Sequence, residues 1–256
     1  FNELVALLPP VKYSGNPIIT HDATFTNYFP AGWLIDPLNS NNFLLYIGKY
    51  MGINGAGSKI SLYTGARSDP YTLTFYGDVI TPTAATWDSN SAGNPGSVIN
   101  IGGTVYIYYC GNSTGSTSAK IGVATSTDGG RTFTKYAGNP ILIPAATNET
   151  NVSDPAVIFD GTSTYYMYYT SVYSANPINA INIAHSSDGL TWTRDNVTAL
   201  SMGGLPTDFD GGAVQNPSVI KLGNDIIMFY SAIVAAGPGG AGYISTAVAT
   251  STSWVG

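Results

Sequence analysis

Charge is scarce in this chain. Lys, Arg, Asp and Glu make up 9% of its 256 residues, against roughly 25% in an ordinary soluble domain. The nine Lys and Arg, set against fifteen Asp and Glu for a net charge of −6, form no cluster able to neutralise phosphates. That excludes nucleic acid as a partner. No run of about 18 apolar residues occurs, which excludes insertion of a membrane-spanning helix. Cys110 is the only cysteine, so no internal disulfide forms. Within Tyr106-Ile-Tyr-Tyr-Cys110 it reads as a buried, inert thiol. The two histidines, His21 and His185, lack metal-ligand spacing. No Ser or Cys has a His arrangement that suggests a nucleophile. Helical patterning is missing too: Glu3-Leu-Val-Ala-Leu-Leu8 is short and runs into Pro9-Pro10.

What remains is a surface of Ser, Thr, Asn, Gly and Tyr around a composition that is 44% hydrophobic. This profile fits an extracellular or surface-exposed protein, secreted or carried on a virion. The chain begins at Phe1 without a signal peptide and reads as a processed product or a fragment. Sequons at Asn112, Asn148, Asn151 and Asn196 permit glycosylation without arguing for it.

A repeat of about sixty residues is the main positive signal. Four segments place Asp or Asn before Pro: Trp33-Leu-Ile-Asp36-Pro37, Gly93-Asn94-Pro95, Ser153-Asp154-Pro155 and Gln215-Asn216-Pro217. An aromatic, alternating strand follows, as in Thr104–Tyr109, Thr164–Tyr169 and Asp225–Tyr230, with Phe43–Tyr46 as a looser counterpart. Third strands come next at Ile121–Thr125, Ile181–His185 and Tyr243–Ala249. Turns with Asp-Gly then lead to a fourth strand such as Phe133–Leu142. The pattern predicts one all-β domain over 1–256, a β-propeller of four-stranded antiparallel blades. The repeats start near 33, 93, 153 and 215, so about four blades are visible. Val11–Ile19 resembles a fourth strand and is expected to close the ring; the competing reading is a fifth blade beyond Gly256.

Asp154-Pro-Ala-Val-Ile158, Tyr165-Tyr-Met-Tyr-Tyr169 and Ile183-Ala-His-Ser-Ser-Asp-Gly-Leu-Thr-Trp192 resemble the five-bladed propeller glycosidases of glycoside hydrolase family 43. Relatives in families 32, 62 and 130 are similar. Trp33-Leu-Ile-Asp36-Pro37 resembles the Trp-x-Asn-Asp-Pro opening of family 32 but lacks the Asn. The resemblance implies five blades, a carbohydrate partner and a pocket at the propeller axis. It implies Asp36 as general base, Asp154 as the carboxylate that orients the acid, and a Glu acid at the position of Gln215. Gln has no titratable proton, whereas hydrolysis of this type needs a protonated acid and a carboxylate. The chain has two Glu, Glu3 and Glu149, and neither falls in an expected first strand.

Asp210 is a substitute acid candidate. Yet Trp87-Asp88 and Phe209-Asp210 precede Pro95 and Pro217 at one offset, which reads as a blade-entry turn. Asn94 and Asn216 share the slot of Asp36 and Asp154, so position in the slot is structural and charge in it is the functional addition. Trp33, Tyr28 and Phe29 are candidates for stacking on a sugar. No metal site or cofactor is expected beyond a structural calcium on paired carboxylates, and no dedicated loop for it is present. Ser126-x-Asp128-x-Gly130-x-Thr132-Phe133 fits an Asp-box, a folding turn. The functional expectation is glycosidic hydrolysis with Gln215 in the acid slot. The alternative is a non-catalytic glycan-binding or structural propeller of a surface or phage virion protein.

Overall fold

The computed structural model describes residues 14–19, 24–25, 27–50, 56–145, 148–174, 179–205, 208–234 and 244–254. Fifteen strands appear among them. Blade one is β1 (Asn27–Ile35), β2 (Asn42–Tyr50), β3 (Lys59–Ala66) and β4 (Asp69–Ile80). Blade two is β5 (Ser91–Ile101), β6 (Thr104–Asn112), β7 (Lys120–Ser126) and β8 (Thr134–Lys135). Blade three is β9 (Glu149–Phe159), β10 (Tyr165–Tyr173), β11 (Asn179–Ser186) and β12 (Thr193–Ser201). Blade four is β13 (Ala213–Leu222), β14 (Asp225–Ile233) and β15 (Ile244–Ser251). Each sheet is an antiparallel meander in chain order, and the first strands β1, β5, β9 and β13 lie beside one another in that order. Among the described residues this is a β-propeller with four blades.

The second strands β2, β6 and β10 form the core because they are buried on both faces, while β14 is buried on one. In β6, Ile107 and Tyr109 pack toward blade one with Leu44, Tyr46 and Leu62. Tyr108 and Cys110 pack toward blade three with Met167 and Tyr169. Tyr168 then faces Met228 and Tyr230 of blade four. Burying each such side chain stabilises the fold by roughly 1.5–3 kcal/mol.

A hydrogen bond repeats across the blade junctions. Tyr46 Oη donates to the Gly130 carbonyl at 2.8 Å, Tyr108 Oη to that of Gly189 at 2.9 Å, and Tyr168 Oη to that of Trp254 at 2.7 Å. Each tyrosine thus latches its blade to the outer turn of the next. Gly130 sits at φ +90°, and a Cβ there would lie 2.3 Å from Tyr46 Oη. Glycine is therefore required both for the turn and for the latch. Phe229 takes the register position of these tyrosines in blade four and has no hydroxyl to give.

Every first strand is bulged at a proline, the residue with no N–H to offer a ladder. The register shifts fall at Pro30, at Pro95, between Ser153 and Ala156 around Pro155, and between Gln215 and Ser218 around Pro217. The blade-one repeat is thus anchored on Phe29-Pro30, and its first strand starts at 27 rather than near 33.

Two other expectations differ from the structure. The fourth strand expected over Phe133–Leu142 is only Thr134–Lys135 plus one bridge between Ile121 and Leu142. Of the expected closing strand Val11–Ile19, residues 11–13 lie outside the described residues. Residues 14–19 form no strand, and blade four has three strands among the described residues.

Candidate axial site

The bulge builds the site. The residue before each bulge proline, here called the slot residue, is Phe29, Asn94, Asp154 or Asn216. Asp154 and Asn216 both adopt φ +52°, in the left-handed region that Asp and Asn tolerate better than other side chains. Backbone geometry therefore accounts for Asp or Asn in the slots of blades three and four. The bulge also stitches the blades together. The Asp154 N–H donates to Cys110 Sγ at 3.2 Å, and the Asn216 N–H donates to Thr170 Oγ1 at 3.1 Å. Cys110 and Thr170 hold equivalent places in the repeat, each the residue after the last Tyr of its aromatic run, Tyr109 or Tyr169.

The side chains of Asp154 and Asn216 meet between neighbouring first strands. With its amide nitrogen turned to the carboxylate, Asn216 donates to Asp154 Oδ1 at 3.3 Å and Oδ2 at 3.2 Å. The other end of that amide lies 3.3 Å from Ser231 Oγ. Ser153 Oγ donates to Asp154 Oδ2 at 2.9 Å. Gln215 is half-buried beside this pair, and its Oε1 accepts from Asn179 Nδ2 at 3.3 Å. Asp154 and Asn216 are therefore brought together, while the Gln215 side chain turns to Asn179 at the start of β11. Asn94 occupies its slot in β5, paired with Cys110. Cys110 is buried, and burial first and the Asp154 carboxylate second push its thiol well above the usual range. It is a structural acceptor with no nucleophilic character.

Asp36 is not in a slot. It follows β1, seven residues past Phe29, in the turn to β2. It is 3% exposed. Its Oδ2 lies 2.7 Å from Arg131 Nη2, and its Oδ1 accepts the Leu38 N–H at 2.9 Å. Burial raises this carboxyl, but the Arg131 guanidinium and the Leu38 and Asn39 N–H groups outweigh it and hold the group below the ordinary carboxylate range. Arg131 belongs to the Asp-box turn of blade two. There Ser126 Oγ and Thr132 Oγ1 both donate to Asp128 at 2.6 Å. Asp36 thus clamps the turn of blade one to the outer turn of blade two. The calcium expectation required Asp36 and Asp154 as a pair. Among the described residues no three His, Cys, Asp or Glu gather as a metal set.

Asp210 is a blade-entry residue. It accepts the Gly203 N–H at 3.1 Å and faces Tyr230 Oη at 3.5 Å. Asp88 does the same in blade two, accepting from Tyr109 Oη at 3.0 Å and Lys135 Nζ at 2.5 Å. Glu149, expected outside a first strand, is the first residue of β9. It is paired with Arg194 at 3.0 Å and accepts the Ala145 N–H at 2.6 Å.

The aromatic candidates divide. Phe29, 45% exposed, stands in the blade-one slot, edge-on to Tyr50 at 6.3 Å between centroids. Trp33 is 63% exposed on β1. Tyr28 is engaged: the Lys49 ammonium lies 5.6 Å from its ring and 4.6 Å from that of Phe75, a cation–π cage. Sequence reasoning missed the Phe29 slot. The signal was there in Pro30, which heads the same bulge as Pro95, Pro155 and Pro217.

Comparison with known proteins gives the same architecture. The family model described as "Glycosyl hydrolases family 32 N-terminal domain" matches residues 78–250, more than half of the chain. A thermostable family-43 glycoside hydrolase is similar in structure, with a TM-score of 0.67 at 18% identity over 92% of this chain and 72% of that one. The endo-arabinase from Bacteroides thetaiotaomicron VPI-5482 gives 0.63 at 15% identity, over 86% and 74%. Fructan 1-exohydrolase IIa from Cichorium intybus gives 0.62 at 15% identity, over 85% of this chain but 41% of that one. No curated protein matches the chain.

Proposed function

The chain belongs to the family of glycosyl hydrolases family 32 N-terminal domains, and on that premise we propose that it binds carbohydrate at the axis without cleaving it. One observation carries the reading. Across the residues that precede the four bulge prolines and the acid position stand Phe29, Asn94, Asp154, Gln215 and Asn216, a set with a single carboxylate. Two carboxyl groups are needed to protonate the leaving oxygen and activate water. One carboxylate flanked by amides is well suited to a different task. Asp154 accepts sugar hydroxyls in charge-assisted hydrogen bonds, and the Asn216 and Gln215 amides both accept and donate. Phe29 and Trp33 offer apolar rings for the sugar face. The low surface charge supports an extracellular or surface setting.

Retention on a glycan array, with product analysis of the same glycans, tests this. Binding without released sugar is expected, and Asp154→Ala should abolish the part of it that takes place at the axis. Membership of a hydrolase family favours a second reading, in which Asp36 is the base, Asp154 the orienting carboxylate and Gln215 holds the acid position. That reading requires turnover that Asp36→Asn removes while the protein stays folded.

A further inference from the structure

Blade three carries a cavity whose lining includes none of the slot residues. About 210 Å³ of space opens beside β10, β11 and β12 and is bounded by Ala145 of the segment that leaves blade two. That is the liquid volume of about seven waters, room for one sugar ring. Strand register explains which side chains meet there. Glu149 pairs with Tyr173, Tyr169 with Asn182, and Asn182 with Thr198, so all of them project from one face of the sheet.

The polar groups are arranged in a specific way. Arg194 Nη1 donates to Glu149 Oε1 at 3.3 Å and to Tyr169 Oη at 2.8 Å, so the carboxylate is neutralised at the wall. Asn182 Nδ2 donates to Ser171 Oγ and Tyr173 Oη, both at 2.8 Å. Both phenols thus accept one hydrogen bond and keep a proton to donate. Asn182 is only 9% exposed, and its Oδ1 has no partner among the described residues. A buried acceptor left unmet is costly. Val197 supplies apolar wall. Two phenolic donors, one unmet acceptor, a neutralised ion pair and an apolar wall match a ring with neighbouring hydroxyls and a C–H face.

We propose that this cavity is a second carbohydrate site that takes one neutral sugar ring. None of Asp154, Gln215 and Asn216 lines this cavity, so the proposal does not rest on the axial reading. Calorimetric titration of the full chain with methyl glycosides of neutral hexoses and pentoses tests it. Asp154→Ala should leave this binding intact. Val197→Trp should fill the cavity and eliminate it. Tyr173→Phe should weaken it about five-fold, the worth of one net hydrogen bond. Binding unchanged in both Val197→Trp and Tyr173→Phe would overturn the proposal, as would wild-type binding that Asp154→Ala removes completely. If Val197→Trp fails to fold by circular dichroism, Tyr173→Phe decides alone.

Discussion

Replacing Asp36 with Asn should cost the fold more than the site. The carboxylate is 3% exposed and its partner Arg131 about a fifth exposed on the side chain. Breaking a buried pair costs about 3–5 kcal/mol because the remaining charge is stranded. Here Arg131 can turn partly to water, and the Asn carbonyl still accepts the Leu38 N–H. The expected loss is therefore about 2–3 kcal/mol, a fall in Tm of about 5–10 °C for a chain of this size. The pH dependence has a definite sign. The folded carboxyl titrates below its unfolded value of about 3.9. Its contribution is present above that value and is lost as pH falls through the lower, folded value. The wild-type advantage over Asp36→Asn should thus be full at pH 7 and shrink below about pH 4. Thermal unfolding of both proteins across that range, alongside glycan retention, is the assay. An unchanged Tm with abolished carbohydrate function would refute the clamp and return Asp36 to the axis.

Other consequences follow from the same geometry. Tyr108→Phe removes the latch to Gly189 and should cost about 1 kcal/mol in chemical denaturation; no loss would mean the junction is held by packing alone. Gly96→Ala would put a Cβ 2.0 Å from the Pro155 carbonyl oxygen, a backbone conflict expected to cost more than about 3 kcal/mol. A soluble, equally stable variant would disprove that close approach of β5 and β9. The Cys110 thiol, buried and raised in pKa, should react with a thiol reagent at neutral pH only after unfolding; fast labelling of the native protein would contradict its buried role.

Blade architecture was legible in the sequence because the second strands carry it. Tyr106-Ile-Tyr-Tyr109 and Tyr165-Tyr-Met-Tyr-Tyr169 alternate between two buried faces, a pattern only strands between two packed neighbours show. The blade-one anchor was not legible. Asp36-Pro37 lies 58 residues before Asn94-Pro95, near the sixty-residue period, while Phe29-Pro30 lies 65 before it. Most of the extra length lies in the turn between β1 and β2, which runs from Ile35 to Asn42, where β5 and β6 are joined across only Ile101 to Thr104. The slot resisted recognition for another reason: Asp and Asn both tolerate the left-handed backbone of Asp154 and Asn216, so composition alone does not separate a turn requirement from a charge requirement. Glu149 escaped as well, because β9 begins four residues before the Ser153-Asp154-Pro155 motif. The Asp210 turn was readable, since an aromatic-Asp pair at equal offsets in two blades matches the buried acid under Tyr109 and Tyr230.

The most direct test of the central claim pairs retention and cleavage on one set of oligosaccharides, comparing wild type with Asp154→Ala. Wild type should hold at least one glycan and release no sugar from it, and Asp154→Ala should hold none at that site. Steady release of reducing sugar by the wild type would contradict the account.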